Sequence, residues 1–290
     1  MKNQLPYGNV FGGSAGEAAP NIAQTPRYLY SPAFFSGFVN ETDVTIGQAG
    51  SGPTILGSVY GGGQDGHVRR DTKVTVLGGE IGVPYNSTNQ TLLKTDNLDS
   101  PQWIHRGNIY GGGSGITKFK YDFNYDGDTE DANEQDYSNS SGSVTRFTEV
   151  NVKGGTIHRN VYGGGSMGSI GAPNMGQTYD LYKPGQTDID GKPANGPGRQ
   201  SMNTVNIGGG TSVVTIGTPF DAEKGWTYNK VYGGEVYGAC RGLSTLDPDQ
   251  FANSVWTKVN IKDKATIMGN VYGGGDSGIV KKNSEVKIGE

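Results

Sequence analysis

The stretch N-V-Y-G-G-G-D-S-G, residues 270–278, decides how this chain is read. Gly273, Gly275 and Gly278 fit G-x-G-x-x-G, the fingerprint of a dinucleotide-binding loop. Such a loop occurs once, after a buried strand and at the start of a helix. Here the word recurs. V-Y-G-G-G-Q-D-G begins at Val59, I-Y-G-G-G-S-G at Ile109 and V-Y-G-G-G-S-M-G at Val161. A degenerate copy, V-Y-G-G-E-V-Y-G, begins at Val231, and an early one, N-V-F-G-G-S-A-G, at Asn9. No copy leads into a helical apolar pattern. The glycines therefore read as architecture, and no nucleotide cofactor is expected.

A second word alternates with the first. It is a short strand with two β-branched residues two apart: Val44 and Ile46, Val74 and Val76, Val150 and Val152, Val205 and Ile207, Val259 and Ile261, Val286 and Ile288. Polar residues lie between them, which is the period-two pattern of a half-buried strand. Between this strand and the next aromatic word there is often Gly-Gly and an isolated aliphatic, as in L-G-G-E-I (Leu77 to Ile81) and K-G-G-T-I (Lys153 to Ile157). The shortest unit spans roughly 25 residues, one turn of a solenoid with about three short strands. No unit buries its aliphatics alone, but turns stacked about 4.8 Å apart would. The expected fold is all-β: a right-handed parallel β-helix, or β-solenoid, of five or six rungs in one domain over residues 1–290.

Polar insertions interrupt the repeat at 82–106, 117–146, 169–203 and 243–256. Insertions at matching places in a solenoid emerge on the same side, and variable function is expected there. The repeat begins almost at once and stops inside a strand word, so the chain reads as part of a longer repeat protein. Open solenoid ends expose strand edges, and end-to-end self-association is an expectation that follows.

Composition agrees. The chain has 290 residues, 50 of them Gly, with 16 Tyr and 9 Phe, too aromatic for a disordered chain. Net charge is -4 and no basic run exceeds a pair, so nucleic acid is not an expected partner. The one cysteine, Cys240, allows no intrachain disulfide. Nothing resembles a membrane span.

In N-V-Y, Val and Tyr face opposite sides of a strand. If Val faces in, Tyr60, Tyr110, Tyr162, Tyr232 and Tyr272 form an outer row. That row is either a sugar-stacking platform, hence candidate ligand-binding residues, or a structural ladder covered by loops. The three glycines either supply positive φ at a corner or let neighbouring strands approach closely.

The main metal candidate is D-F-N-Y-D-G-D-T-E-D-A-N, Asp122 to Asn133. Alternating oxygens from Asp122, Asn124 and Asp126, then Asp128, suit calcium, and Gly127 allows the bend. Position 12 is Asn133 instead of Glu, so Glu130 or Asp131 would close the shell. The expectation is a structural calcium in a loop; the alternative is a solvated acidic loop. I-H-R-G-N (Ile104 to Asn108) and I-H-R-N (Ile157 to Asn160) read as a repeated surface His-Arg ladder. No nucleophile–base motif is present, and no catalytic residue is assigned.

The alternating N-V-Y-G-G-G and V-x-V-x-G-G-x-I words resemble the large glycine-rich surface proteins of Bacteroidetes-type gut bacteria, grouped with adhesin-like and pectin-lyase-like parallel β-helices. The resemblance covers nearly the whole chain outside the insertions. It implies an extracellular, cell-surface location and a non-enzymatic structural or adhesin-like role, with glycans or host and bacterial surface proteins as partners. The rival reading is a carbohydrate-active β-helix, a polysaccharide lyase or glycosidase, with Arg69, Arg70, Arg106 and Arg159 as the first basic suspects. A third is a non-catalytic glycan-binding module that uses the Tyr row.

Overall fold

The structure, a computed structural model, describes residues 8–18, 37–84, 106–120, 126–128, 135–171, 201–218, 233–246 and 251–289. Among these residues there is no helix, and three parallel sheets carry the frame. The first sheet holds the aromatic words: β1 (Val10–Phe11), β4 (Val59–Tyr60), β7 (Ile109–Tyr110), β12 (Val161–Tyr162), β15 (Val236–Tyr237) and β19 (Val271–Tyr272). The second holds the β-branched words: β2 (Thr42–Ile46), β5 (Thr72–Val76), β10 (Thr148–Val152), β13 (Met202–Ile207), β17 (Trp256–Ile261) and β21 (Ser284–Ile288). The third holds the isolated aliphatics: β3 (Thr54–Ile55), β6 (Glu80–Ile81), β11 (Gly155–Ile157), β14 (Val214–Ile216) and β18 (Ala265–Ile267).

The chain visits the sheets in the same order each time, and every strand pairs in register with its equivalent in the next repeat. Val74 lies between Val44 and Val150, and Ile81 lies between Ile55 and Ile157. The aliphatic side chains of all three sheets meet in one core, from Val44 and Ile46 through Val150 and Ile157 to Val259 and Ile261. Each buried Val or Ile contributes about 1.5–3 kcal/mol, so the alternation seen in sequence is what closes the frame.

A fourth column was not foreseen. Val39, Val68, Val144 and Ile170 form successive parallel bridges, and β16 (Asn253–Ser254) pairs with β20 (Ile279–Val280) further along. Val68, Val144 and Ile170 build a separate small core with Cys240 and Ala252. The signal was an aliphatic four residues before a strand threonine, Val68 before Thr72 and Val144 before Thr148. One further pair, β8 (Lys118–Lys120) with β9 (Gln135–Tyr137), is antiparallel and lies outside the frame.

Two kinds of side-chain bond tie the sheets together. In four second-sheet strands a threonine at or next to the strand's start points inward and donates to the first glycine carbonyl of the next aromatic word. Thr42 bonds Gly61, Thr72 bonds Gly111 and Thr148 bonds Gly163, each at 2.6 Å, and Thr257 bonds Gly273 at 2.5 Å. At the corner before the aromatic word, each side chain accepts from the main chain one repeat on: Asn9 from Ser58 N–H, Ser58 from Asn108, Asn108 from Asn160 and Asn160 from Glu235. The Asn in N-V-Y is therefore a rung-to-rung tie.

The glycines of the aromatic word act by close approach. A Cβ on Gly111 would lie 2.1 Å from the Gly163 carbonyl oxygen, and one on Gly61 2.2 Å from that of Gly111. None of Gly61, Gly111 or Gly163 has positive φ. Positive φ belongs instead to the Gly-Gly corner before the third sheet, at Gly79 (97°) and Gly155 (95°).

Candidate functional site

The aromatic residues stack face to face along the first sheet. Ring centroids are 4.7 Å apart for Phe11–Tyr60 and Tyr60–Tyr110, and 4.9 Å for Tyr110–Tyr162, Tyr162–Tyr237 and Tyr237–Tyr272. The interplanar angles run from 4° to 13°. The place expected for Tyr232 belongs to Tyr237. Val236 and Tyr237 pair with Val161 and Tyr162, whereas Tyr232 lies outside the described residues. Sequence matching chose the copy with more glycines. In the structure Gly233 and Gly234 have φ of 81° and 91° and form the corner before the strand, as Gly107 does before Asn108. Gly238 is the glycine that the frame requires, because a Cβ there would lie 2.3 Å from the Gly273 oxygen.

The row does face away from the aliphatic core, yet it is covered. Tyr60 and Tyr110 are 0% exposed, Tyr162 2% and Tyr237 6%. Each ring face is occupied by the next ring, leaving no face for a sugar at these four positions. Tyr272, the last ring, is 41% exposed.

The hydroxyl ends carry a polar cluster. Asn160 Nδ2 donates to the Tyr162 hydroxyl at 3.1 Å, and the Tyr237 hydroxyl donates to Glu235 Oε2 at 2.7 Å. The Tyr60 hydroxyl faces Ser58 and Ser114, and the Tyr110 hydroxyl faces Ser166. Burial pushes all four phenols above their ordinary pKa, so they stay protonated. Arg159, Arg241, Glu235 and Asp276 act electrostatically on this end of the ladder. Asp276 is exposed; burial of its carboxyl raises its pKa, with Arg241 opposing and Glu235 reinforcing. Glu235 and Asp276 come from successive repeats and act on each other electrostatically.

The other basic suspects do not converge. Arg70 pairs with Glu41 at 3.1 Å, and the Arg69 guanidinium lies 5.8 Å from the Phe38 ring centroid, both next to the second sheet. Arg106 and Arg159 lie at the corner before the first sheet. Of the two His-Arg words, Ile104 and His105 lie outside the described residues, while Ile157 pairs with Ile81. His158 is 7% exposed, its Nδ1 3.0 Å from Thr218 Oγ1 and its Nε2 3.6 Å from Glu80 Oε2. Burial outweighs the Glu80 charge and lowers its pKa.

Two further buried groups face the fourth column. His67 Nδ1 lies 3.0 Å from Ser143 Oγ, and burial lowers its pKa to about 4. Asp65 is 3% exposed, and burial raises its pKa to about 6. Cys240 is buried, its thiol pushed up to about 11, which makes it a packing residue and not a nucleophile.

The calcium candidate falls between β8 and β9 in the chain, and only Asp126, Gly127 and Asp128 of it are among the described residues. Asp126 and Asp128 are exposed, and Asp126 Oδ1 accepts from the Asp128 N–H at 3.1 Å across Gly127, whose φ is 97°. Asp122, Asn124, Glu130 and Asp131 lie outside the described residues. Among the described residues no three His, Cys, Asp or Glu side chains gather as metal ligands.

The chain runs long between described elements at three places in the repeat. In the first, third and fifth repeats it leaves after the glycine word, between Gly16 and Val39, Gly115 and Val144, and Gly242 and Ala252. In the second and fourth it leaves after the third sheet, between Ile81 and Ile109 and between Ile216 and Val236. The fourth also leaves between Ile170 and Met202.

No family profile matches the chain, no curated protein matches it, and no solved structure matches it.

Proposed function

We propose that the chain is a right-handed parallel β-solenoid of six turns and a non-enzymatic, cell-surface structural segment, adhesin-like, whose insertions contact glycans or surface proteins. The observation that carries this reading is the division of labour along the chain. The repeated words are spent on the core, the stacked ladder and the ties between repeats, and the long polar insertions all fall between those words. Calcium at the Asp122–Asp131 segment would brace the hairpin excursion; the spacing of its oxygens and the Asp126–Asp128 turn support that role.

A second reading is favoured by one cluster. Glu235 and Asp276, from successive repeats, act electrostatically on each other together with Arg159 and Arg241. Two carboxylates flanking a sugar are the equipment of a glycoside hydrolase. A glycan-array screen with and without EDTA, followed by a reducing-end assay on each hit, separates the two. Binding without release supports the adhesin-like reading, and loss in EDTA brings the calcium loop into it. Release that disappears in Glu235→Gln and Asp276→Asn establishes the enzyme instead.

A further inference from the structure

The four covered tyrosines of the ladder differ in what their hydroxyls meet. The Tyr60 hydroxyl faces Ser58 and Ser114, the Tyr110 hydroxyl faces Ser166, and the Tyr162 hydroxyl accepts from the Asn160 amide at 3.1 Å. None of these neighbours is a base. The Tyr237 hydroxyl donates to a carboxylate, Glu235 Oε2, at 2.7 Å. Its ring lies between those of Tyr162 and Tyr272, each centroid 4.9 Å away, at interplanar angles of 4° and 10°. We propose that Tyr237 and Glu235 form a one-electron redox pair, in which Glu235 takes the phenol proton as the ring gives up an electron.

The stack and its charges both favour Tyr237. A ring that has lost an electron is a cation held between two electron-rich faces, an arrangement that stabilises it. Charge then decides where along the stack the deficit settles. Arg241 acts on Tyr60, Tyr110 and Tyr162, and a guanidinium repels a positive ring. Asp276 reaches Tyr110, Tyr162 and Tyr237 alike and does not discriminate. Glu235 is hydrogen-bonded to Tyr237 and supplies both the attraction and the base. Burial and that hydrogen bond keep the phenol protonated at rest, so electron and proton leave together. The step balances with an external one-electron oxidant, which is reduced by one electron. The Tyr237 O–H bond breaks and an O–H bond forms on Glu235, so no proton leaves the pair. The products are a neutral Tyr237 phenoxyl radical and a neutral Glu235 carboxyl group, and one electron returned from a donor reverses the step. Tyr237 is 6% exposed and both its ring faces are occupied, which keeps the radical from coupling with another.

The test is flash oxidation of the intact chain with photogenerated tris(bipyridine)ruthenium(III), with persulfate as the terminal acceptor, read by electron paramagnetic resonance on freeze-quenched samples. A persistent tyrosyl signal is expected, forming more slowly in heavy water. It is expected to be lost in Tyr237→Phe, which keeps the ring and the stack. Glu235→Gln leaves an acceptor for the phenol but no base, and is expected to lose the persistent signal too. Glu235→Asp restores a carboxylate and is expected to recover part of it, which a folding defect would not do. Tyr137→Phe, in β9 outside the frame, should leave the signal unchanged. No tyrosyl radical in the parent, a signal that survives Tyr237→Phe, one that persists equally in Glu235→Gln, or one lost in Tyr137→Phe would each overturn the proposal.

Discussion

The Thr148 hydroxyl donates to the Gly163 carbonyl at 2.6 Å, joining the start of a second-sheet strand to the glycine word that follows it. Thr148 is 1% exposed, so the acceptor has no water to fall back on. Thr148→Val keeps the shape and removes the donor. It is expected to cost about 1–3 kcal/mol in urea unfolding, with the slope unchanged. A variant as stable as the parent would show that the bond holds nothing.

The glycine word makes a sharper demand. Gly111→Ala places a methyl 2.1 Å from a main-chain oxygen that no rotamer can move, and a loss of about 3 kcal/mol or more is expected. Gly274, in the last repeat, has nothing within 4 Å of its would-be Cβ, so Gly274→Ala should stay within about 0.5 kcal/mol. Equal effects at the two positions would contradict the close-approach account.

Much of this was legible beforehand. The β-branched pairs, the isolated aliphatics and the strict order of words gave the three parallel sheets, because burial enforces period two. The fifth aromatic was misplaced because glycine count and glycine function differ: Gly233 and Gly234 serve a corner, while Tyr237 is followed by a single obligatory glycine. The covering of the ladder was not legible, since alternation says which side a ring faces and not what lies over it. The Glu235–Asp276 cluster joins residues from separate repeats with no shared word to announce them.

The ladder separates ring from hydroxyl. Tyr110 is fully buried and its hydroxyl faces Ser166 without a well-aligned hydrogen bond, so Tyr110→Phe should cost less than about 1 kcal/mol. Tyr162→Phe strands the Asn160 amide and should cost about 1 kcal/mol. Tyr110→Ala opens the stack and should cost about 3–5 kcal/mol. Thermal unfolding of the three variants checks the order.

Asp65 and His67 predict opposing pH dependences. His67 titrates near 4 when folded and near 6.5 when unfolded, so the unfolded chain binds more protons between those values. Its contribution is present above 6.5 and is lost as pH falls toward 4. Asp65 titrates near 6 when folded and 3.8 when unfolded, so its contribution is present below 3.8 and is lost as pH rises through 6. Each is on the order of 3 kcal/mol, and in the parent they largely cancel. Asp65→Asn should leave stability rising from pH 4 to 6.5, and His67→Gln should leave it falling from 3.8 to 6. Flat profiles in both variants would rule the assignment out.

The central claim is that the repeated frame is structural and the excursions make the contacts. The most direct measurement replaces residues 82–108 with the three-residue connection His158–Asn160 of the next repeat, and compares glycan-array binding and thermal unfolding with the parent. The account predicts an unfolding temperature close to that of the parent and loss of whatever the parent binds through that excursion. A trimmed frame that binds as tightly, or that still releases reducing ends, would contradict it.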